Sequence, residues 1–535
     1  MAKVKTALIS VSDKTGLDDF TGRLDGLGIK ILSTGGTARL LRENGIAVTD
    51  VSEYTGFPEI LGGRVKSLHP KIHGALLALR DDEEHRRQME QHGIQPIDMV
   101  VVNLYPFEET IAKPGVELME AVENIDIGGP TMIRSAAKNY MNVAVLTGPD
   151  QYQQVASELE ANGSSLDSET LYKLAVEAFR HTAHYDTAIS GYLGGIGGGD
   201  DSAFGDTMLL EMKLRQGLKY GENPHQKAAF YVEKGFVEPC AGNAVQVAGP
   251  ELSFNNILDI NAALELVKEF SRPAAVCIKH TNPCGAGVAG DIAEAYRRAY
   301  LGDPLSAFGC IVAINRPFSV ELAELIADFR AEEDGKKLPY FVEAVIAPSI
   351  EEGAVEHLLS AAQWAERTRI LECGEFGPDS HDASSKDMRR VVGGMLVQDR
   401  DMVTIDESAL KVVTENKPTE QQMADLQFAW ICCKHVKSNA ITIVGDGMLA
   451  GAGAGQMSRV DATVAAVRKA GARAQGAVLA SDAFFPFPDA LETAAEAGIK
   501  AVMQPGGSKG DDAVIEAANR LGIAMVLTGC RHFRH

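Results

Sequence analysis

Residues 97–104 read Ile-Asp-Met-Val-Val-Val-Asn-Leu. A continuous apolar run of this kind predicts a strand buried on both faces, the mark of a parallel sheet covered by helices. The surrounding sequence agrees. Asn142–Leu146 is a second apolar run, followed by Thr147-Gly148. Near the start, Ala7–Val11 leads to the turn Ser12-Asp13-Lys14, after which Leu17, Phe20, Leu24 and Leu27 recur at helical spacing. Ile29–Leu32 predicts another strand, and Ser33-Thr34-Gly35-Gly36-Thr37 leads into a helix over 38–43 that Asn44-Gly45 closes. Strand and helix in alternation imply an α/β fold with a parallel sheet. Such sheets bind ligands at the carboxyl ends of their strands.

Further along, residues 168–192 read as one long helix. The run Gly194-Gly195-Ile196-Gly197-Gly198-Gly199-Asp200-Asp201 reads as a linker. One domain is therefore expected over 1–200 and a second region over 201–535. The second region, about 335 residues, exceeds one comfortable core, so two subdomains are expected. Their division is placed at 360–400, where the polar stretch Glu372–Asp387 lies. Ala274–Ile278, Cys310–Ile314, Val342–Ile346, Ala440–Val444 and Ala477–Leu479 read as strands, and no short-period repeat is visible.

The chain of 535 residues has 51 Lys and Arg against 73 Asp and Glu, a net charge of −22. That balance argues against non-specific nucleic-acid binding and against docking on an anionic membrane, both of which need a basic surface. No stretch approaches the ~20 apolar residues of a membrane span. The apolar run near the N-terminus is too short for a signal-peptide core. The eight cysteines lie at or beyond Cys240 and form no CxxC pair, which suits reduced thiols in a cytoplasmic protein.

Three loops in the first domain are rich in anion-binding groups: Ser12–Thr15, Ser33–Thr37 and Gly62–His69, the last supplying Arg64, Lys66 and Ser67. Free N–H groups at a helix start, with a cation nearby, bind phosphate through the helix dipole and charge-assisted hydrogen bonds. In a protein this acidic, such a pocket is the one place that welcomes a phosphate. Beyond them lie Asn103-Leu104-Tyr105 and a segment from Asn124 to Lys138. Asp126 and Lys138 read either as a plain surface pair or as partners of Tyr105 and Lys66 in one pocket.

The strings SVSDKTG (10–16), STGGTARLLRENGI (33–46), GFPEILGGRVKSLHPKIHG (56–74), NLYPF (103–107) and ENIDIGGPTMIRSAAKN (123–139) resemble the cyclohydrolase half of the PurH family of bifunctional purine-biosynthesis enzymes. KYGENPHQ (219–226), LSFNNILDINAA (252–263), KHTNPCG (279–285), LSAFG (305–309), VKSNAI (436–441), GAGQMSRVDA (453–462), SDAFFPFPD (481–489) and QPGGSKGD (504–511) resemble its transformylase half. The resemblance spans nearly the whole chain in the family's order. It implies a methylglyoxal-synthase-like N-terminal domain and a C-terminal region of two cytidine-deaminase-like subdomains. The implied chemistry is formyl transfer from 10-formyltetrahydrofolate to the 5-amino group of AICAR, followed by dehydrative closure of formyl-AICAR (FAICAR) to IMP. The resemblance also implies a homodimer whose formyl-transfer sites form at the subunit interface.

By matching position the resemblance implies that His280 takes or shuttles the proton of the AICAR amine and that Lys279 stabilises the oxyanion or protonates the leaving folate nitrogen. Asn439 holds the formyl oxygen or orients His280. Lys219, Tyr220, Gly309, Glu343 and Arg459 match AICAR contacts, and Phe484, Asp489 and Arg531 match positions near the folate. For ring closure, Lys66, Tyr105, Asp126 and Lys138 match the catalytic group. Ser12, Lys14, Ser33, Gly36, Thr37, Arg64, Ser67 and Asn103 match the nucleotide-binding set. Lys219 stands where some members have arginine, Ser67 where threonine occurs, Glu343 where aspartate occurs, and Pro488 where arginine is common. The zinc-deaminase pattern of H-x-E with P-C-x-x-C is absent, since Asn282-Pro283-Cys284-Gly285 lacks a second cysteine. No catalytic metal is expected. Two other readings stand beside this one: a phosphate-ligand sensor, and a cyclohydrolase whose transformylase is impaired through Pro488 and Lys219.

Overall fold

Apolar runs screened on both faces build the first sheet. Its strands are β1 (Thr6–Val11), β2 (Lys30–Ser33), β3 (Val48–Asp50), β4 (Met99–Asn103) and β5 (Ala144–Leu146), in the order β3-β2-β1-β4-β5 and all parallel. The structure is a computed structural model that describes residues 2–197, 204–233, 235–333 and 336–535. The chain divides into two compact units, Met1–Glu211 and Met212–His535.

In the first unit Leu8, Ile9, Val100 and Val101 are wholly buried between helical layers, as their unbroken apolar pattern requires. Helices α1 (Leu17–Gly26), α2 (Gly35–Glu43), α3 (Gly128–Lys138) and α4 (Ser168–Gly197) matter most here. Strand order reverses between β1 and β4, the point where ligands bind in doubly wound sheets. Two expectations are corrected. Helix α2 starts at Gly35, so both glycines lie in its first turn. Residues 194–197, read as linker, are the last residues of α4. The boundary expected near 200 lies outside the described residues.

The second unit is built on a twelve-stranded sheet. Its strands in chain order are β6 (Val245–Ala248), β7 (Ala274–Lys279), β8 (Asn282–Val288), β9 (Cys310–Ile314), β10 (Val342–Ala347), β11 (Arg369–Glu372), β12 (Lys411–Val412), β13 (Ile441–Gly445), β14 (Met448–Gly453), β15 (Val478–Ser481), β16 (Ala501–Gln504) and β17 (Ala524–Leu527). The spatial order is β6-β11-β10-β9-β7-β8-β14-β13-β15-β16-β17-β12. It reads as one six-strand pattern twice. In each half a helix, α5 (Phe254–Val267) or α7 (Glu420–Lys434), precedes an antiparallel hairpin, β7–β8 or β13–β14. A further helix, α6 (Ile292–Leu301) or α8 (Arg459–Ala470), then leads to three parallel strands. The halves join where β8 pairs with β14, Gly287 opposite Met448. The first half's last strand ends at Glu372 and the second half's first begins at Lys411.

Candidate active sites

In the first unit the switch point is closed by Asn103, at the carboxyl end of β4. Its Oδ1 accepts the backbone N–H groups of Ser12 (2.5 Å) and Asp13 (3.0 Å), and its Nδ2 donates to the Asp13 carbonyl at 3.0 Å. Ser12 Oγ lies 2.9 Å from the same Oδ1 and 2.7 Å from the Leu104 carbonyl. Asn103 thus fixes the β1–α1 loop against the end of the next strand.

Around that point stand the other candidates. Lys66 Nζ is 3.2 Å from Glu59 Oε1, and a Cβ on Gly35 would lie 3.8 Å from it. The ammonium therefore sits beside the first turn of α2, whose leading N–H groups have no helical acceptor. A Cβ on Gly128 would lie 2.8 Å from Ser67 Oγ, so the bare backbone at the start of α3 is what admits the Ser67 side chain. The Asp126 carboxylate folds over the same helix start, accepting the Gly129 N–H at 2.9 Å. Burial raises the Asp126 carboxyl above its ordinary value, against the pull of the Gly129 and Gly128 N–H groups. Tyr105 and Lys14 are exposed nearby in the chain, and the exposed Arg64 is ion-paired with Glu123.

Three candidates are placed differently from expectation. Ser33 Oγ, buried, donates to the Ile9 carbonyl at 2.7 Å. Thr37 Oγ1, also buried, donates to the Val11 carbonyl and accepts the Val11 N–H. The Ser33 hydroxyl ties β2 to β1, and the Thr37 hydroxyl ties the start of α2 to the end of β1. Lys138 is the last residue of α3, exposed, while Asp126 precedes the helix. Ten helical rises, about 15 Å, separate the two ends, beyond a lysine's reach. Within one chain Lys138 does not join Asp126. Sequence reasoning missed Tyr185 of α4, whose hydroxyl accepts the Asp126 N–H at 2.7 Å; no local pattern marks it.

In the second unit several candidates lie at one edge of the long sheet. The pairings bring the end of β7, the starts of β9, β10 and β11, the end of β14, the start of β13 and the end of β15 to that edge. Lys279 and His280 make the β7–β8 turn. Lys279 Nζ donates to the Phe308 carbonyl at 2.5 Å, and His280 is exposed. Gly309, at φ 71°, puts its N–H on the Phe341 carbonyl, so a side chain there would be strained. Glu343 Oε1 is 2.5 Å from Arg369 Nη1. Across the middle, Asn282 links the halves: its Oδ1 accepts the Lys437 N–H at 3.0 Å, and its Nδ2 donates to the His280 carbonyl at 3.0 Å. Asn439 follows two residues later. Its Oδ1 accepts from Arg459 Nη2 at 2.8 Å. Phe484 and Asp489 follow β15, and Arg531 follows β17, its guanidinium 4.7 Å above the Phe533 ring. Lys219 and Tyr220 follow the first strand of a separate hairpin, Met212–Leu218 with Ala228–Glu233. Arg459, read as a substrate contact, is buried and paired inward with Asp482.

Among the described residues, Glu238, Glu265 and His381 stand close enough together to hold a metal ion. Their carboxylates already face Lys268, at 2.7 and 3.1 Å, and Arg400, at 2.6 Å to each. That leaves little charge for a cation to neutralise.

The duplicated sheet, with this edge in one unit and the β1–β4 switch point in the other, agrees with what comparison finds. A family described as the AICARFT/IMPCHase bienzyme matches residues 136–469, and an MGS-like domain matches residues 16–131. A protein of Magnetococcus marinus, named bifunctional purine biosynthesis protein PurH, is 54% identical over 548 residues, covering 100% of both chains. The chain belongs to the AICARFT/IMPCHase bienzyme family. It is a bifunctional enzyme, an AICAR formyltransferase and an IMP cyclohydrolase. Its N-terminal unit is MGS-like. Membership of a family of enzymes sets aside the sensor reading. A solved structure described as the crystal structure of ForH is 37% identical, covers 36% of this chain and 99% of its own, and superposes at a TM-score of 0.34. No helix among the described residues is long and apolar enough to cross a membrane.

Proposed function

We propose that each activity belongs to one unit: ring closure to the first and formyl transfer to the second. The β7–β8 turn carries this reading, because it holds Lys279 and His280 beside Asn282, which is bonded to the strand-entry segment carrying Asn439. The AICAR amine is a poor nucleophile, its lone pair being delocalised into the imidazole ring. His280 removes its proton as nitrogen attacks the formyl carbon of 10-formyltetrahydrofolate. Lys279 stabilises the oxyanion or protonates the departing folate nitrogen, and Asn439 holds the formyl oxygen. Glu343 and the Gly309 backbone are candidates for the AICAR side, with Phe484, Asp489 and Arg531 on the folate side.

In the first unit, Lys66 and Tyr105 stabilise the oxyanion formed when the carboxamide nitrogen of FAICAR attacks its formyl carbon. Asp126 moves the proton, water leaves, and IMP results. Ser12, Lys14, Arg64, Ser67 and the start of α2 hold the ribose phosphate. The subdomain division falls between Glu372 and Lys411, each half being one deaminase-like subdomain. The enzyme acts as a cytoplasmic homodimer on small molecules and needs no catalytic metal.

The test is a steady-state assay with AICAR and 10-formyltetrahydrofolate, run beside one started from FAICAR. Tetrahydrofolate release and IMP formation are expected in the first, IMP alone in the second. IMP from FAICAR without formyl transfer would leave the impaired-transformylase reading instead.

A further inference from the structure

The hairpin turns of the two half-sheets are held by one device. His280 and Thr281 turn through φ values of 53° and 61°, and Asp446 and Gly447 through 51° and 68°. Each turn is clamped by an aspartate of the helix that precedes its hairpin. Asp259 Oδ2 and Oδ1 accept the N–H groups of His280 and Thr281 at 3.2 and 2.6 Å. Asp425 Oδ2 and Oδ1 accept those of Asp446 and Gly447 at 3.1 and 2.8 Å. Asp259 and Asp425 are 166 positions apart, as are His280 and Asp446. The same spacing relates Gly285 and Gly287 to Gly451 and Gly453. In both pairs a Cβ would strike helix carbonyls, of Ala299 and Ala295 or of Ala466 and Ala462.

The copies differ in what the turn carries. The first turn has no glycine, and a β-branched threonine in the left-handed region is strained. The second has Gly447, which adopts that conformation freely. The first turn also bears the Lys279-His280 pair, where the second bears Gly445-Asp446. A strained turn persists only when its surroundings hold it, and here two charge-assisted bonds from one carboxylate do so.

We propose that Asp259 is a positioning residue for formyl transfer, its carboxylate locking the positive-φ turn that sets the His280 imidazole and the Lys279 ammonium. The proposal rests on the reading of His280 as the proton-transfer group, and Asp425 provides a control inside the same molecule. Asp259→Asn keeps the size but sets an amide N–H against one of the two turn donors. It should lower formyl-transfer kcat by about 10²-fold, the cost of displacing a reacting group by an ångström or so, with KM for AICAR within about threefold. Asp425→Asn removes the same clamp where no chemistry is carried. It should lower Tm comparably and leave kcat within about twofold. Asp259→Asn with Thr281→Gly should recover part of the lost kcat, because glycine no longer needs the clamp. IMP formation from FAICAR should be unchanged throughout. Equal kcat losses from Asp259→Asn and Asp425→Asn, or no loss from the first, would overturn the positioning role. Full activity in His280→Ala would instead overturn the reading of His280 beneath it.

Discussion

Arg459 donates through Nη2 to Asn439 Oδ1 at 2.8 Å, while Nη1 of the same guanidinium is ion-paired with Asp482 and lies 2.9 Å from Ser481 Oγ. Asp482 is 1% exposed. Arginine suits this place because its planar fork meets several acceptors at once, which a lysine ammonium on one stem does not. The residue therefore anchors Asn439 rather than standing free for substrate. Arg459→Ala should cost about 3–5 kcal/mol in urea unfolding of the second unit, because it leaves a buried carboxylate unpaired. Formyl transfer should fall at least about tenfold, mainly in kcat, as Asn439 loses its anchor. A variant of normal stability with only a raised KM for AICAR would show that Arg459 meets the substrate instead.

Much of the first unit was legible beforehand, because a parallel strand buried on both faces announces itself. The run read over 97–104 forms a strand at Met99–Asn103. The site was legible only as loops. Whether Ser33 and Thr37 point their hydroxyls at a ligand or at the neighbouring strand is a tertiary choice without local signature. For Lys138 the residues left a surface pair and a pocket shared with Asp126 both open, and the resemblance chose the pocket; which end of α3 each residue occupies decides against it within one chain. The resemblance implied two like subdomains in the second unit, but the residues alone did not show the duplication, because its copies share topology and few residues. Lys279-His280 answers to Gly445-Asp446, and what recurs is a capping aspartate and two close-packed glycines.

Glu238 sits in a buried charge cluster. Burial alone would raise its carboxyl, but Arg400, the Asp382 N–H and Lys268 bring it down to about 2 from an ordinary 4.5. A carboxyl depressed on folding contributes stability that is present above its unfolded value and lost as pH falls through its folded one. The second unit should therefore lose stability between about pH 4.5 and 2. Glu238→Gln should flatten that part of the pH profile. It should also destabilise at pH 7 by about 3–5 kcal/mol, because Lys268 is fully buried. Urea midpoints across pH 2–7 check this; an unchanged slope in the variant would mean the cluster is not what titrates.

Asp126 has the opposite sign. Burial raises its carboxyl above 3.8, so the charged form needed to take a proton is lost at a higher pH than for an exposed aspartate. Ring closure of FAICAR should show an acid limb above pH 3.8. Asp126→Asn should lower the plateau by about 10²-fold and abolish that limb, while Lys66→Ala should lower the plateau and keep it. A limb that survives in Asp126→Asn belongs to another group.

His280 and Lys66 test whether the two chemistries are separate. His280 belongs to a turn at the sheet edge of the second unit, and Lys66 stands beside α2 in the first. His280→Ala should cut formyl transfer by at least about 10²-fold and leave FAICAR closure unchanged; Lys66→Ala should do the reverse. The two losses should add without interaction in the double variant, as independent sites require. Loss of both activities in either single variant would mean that one site depends on the other.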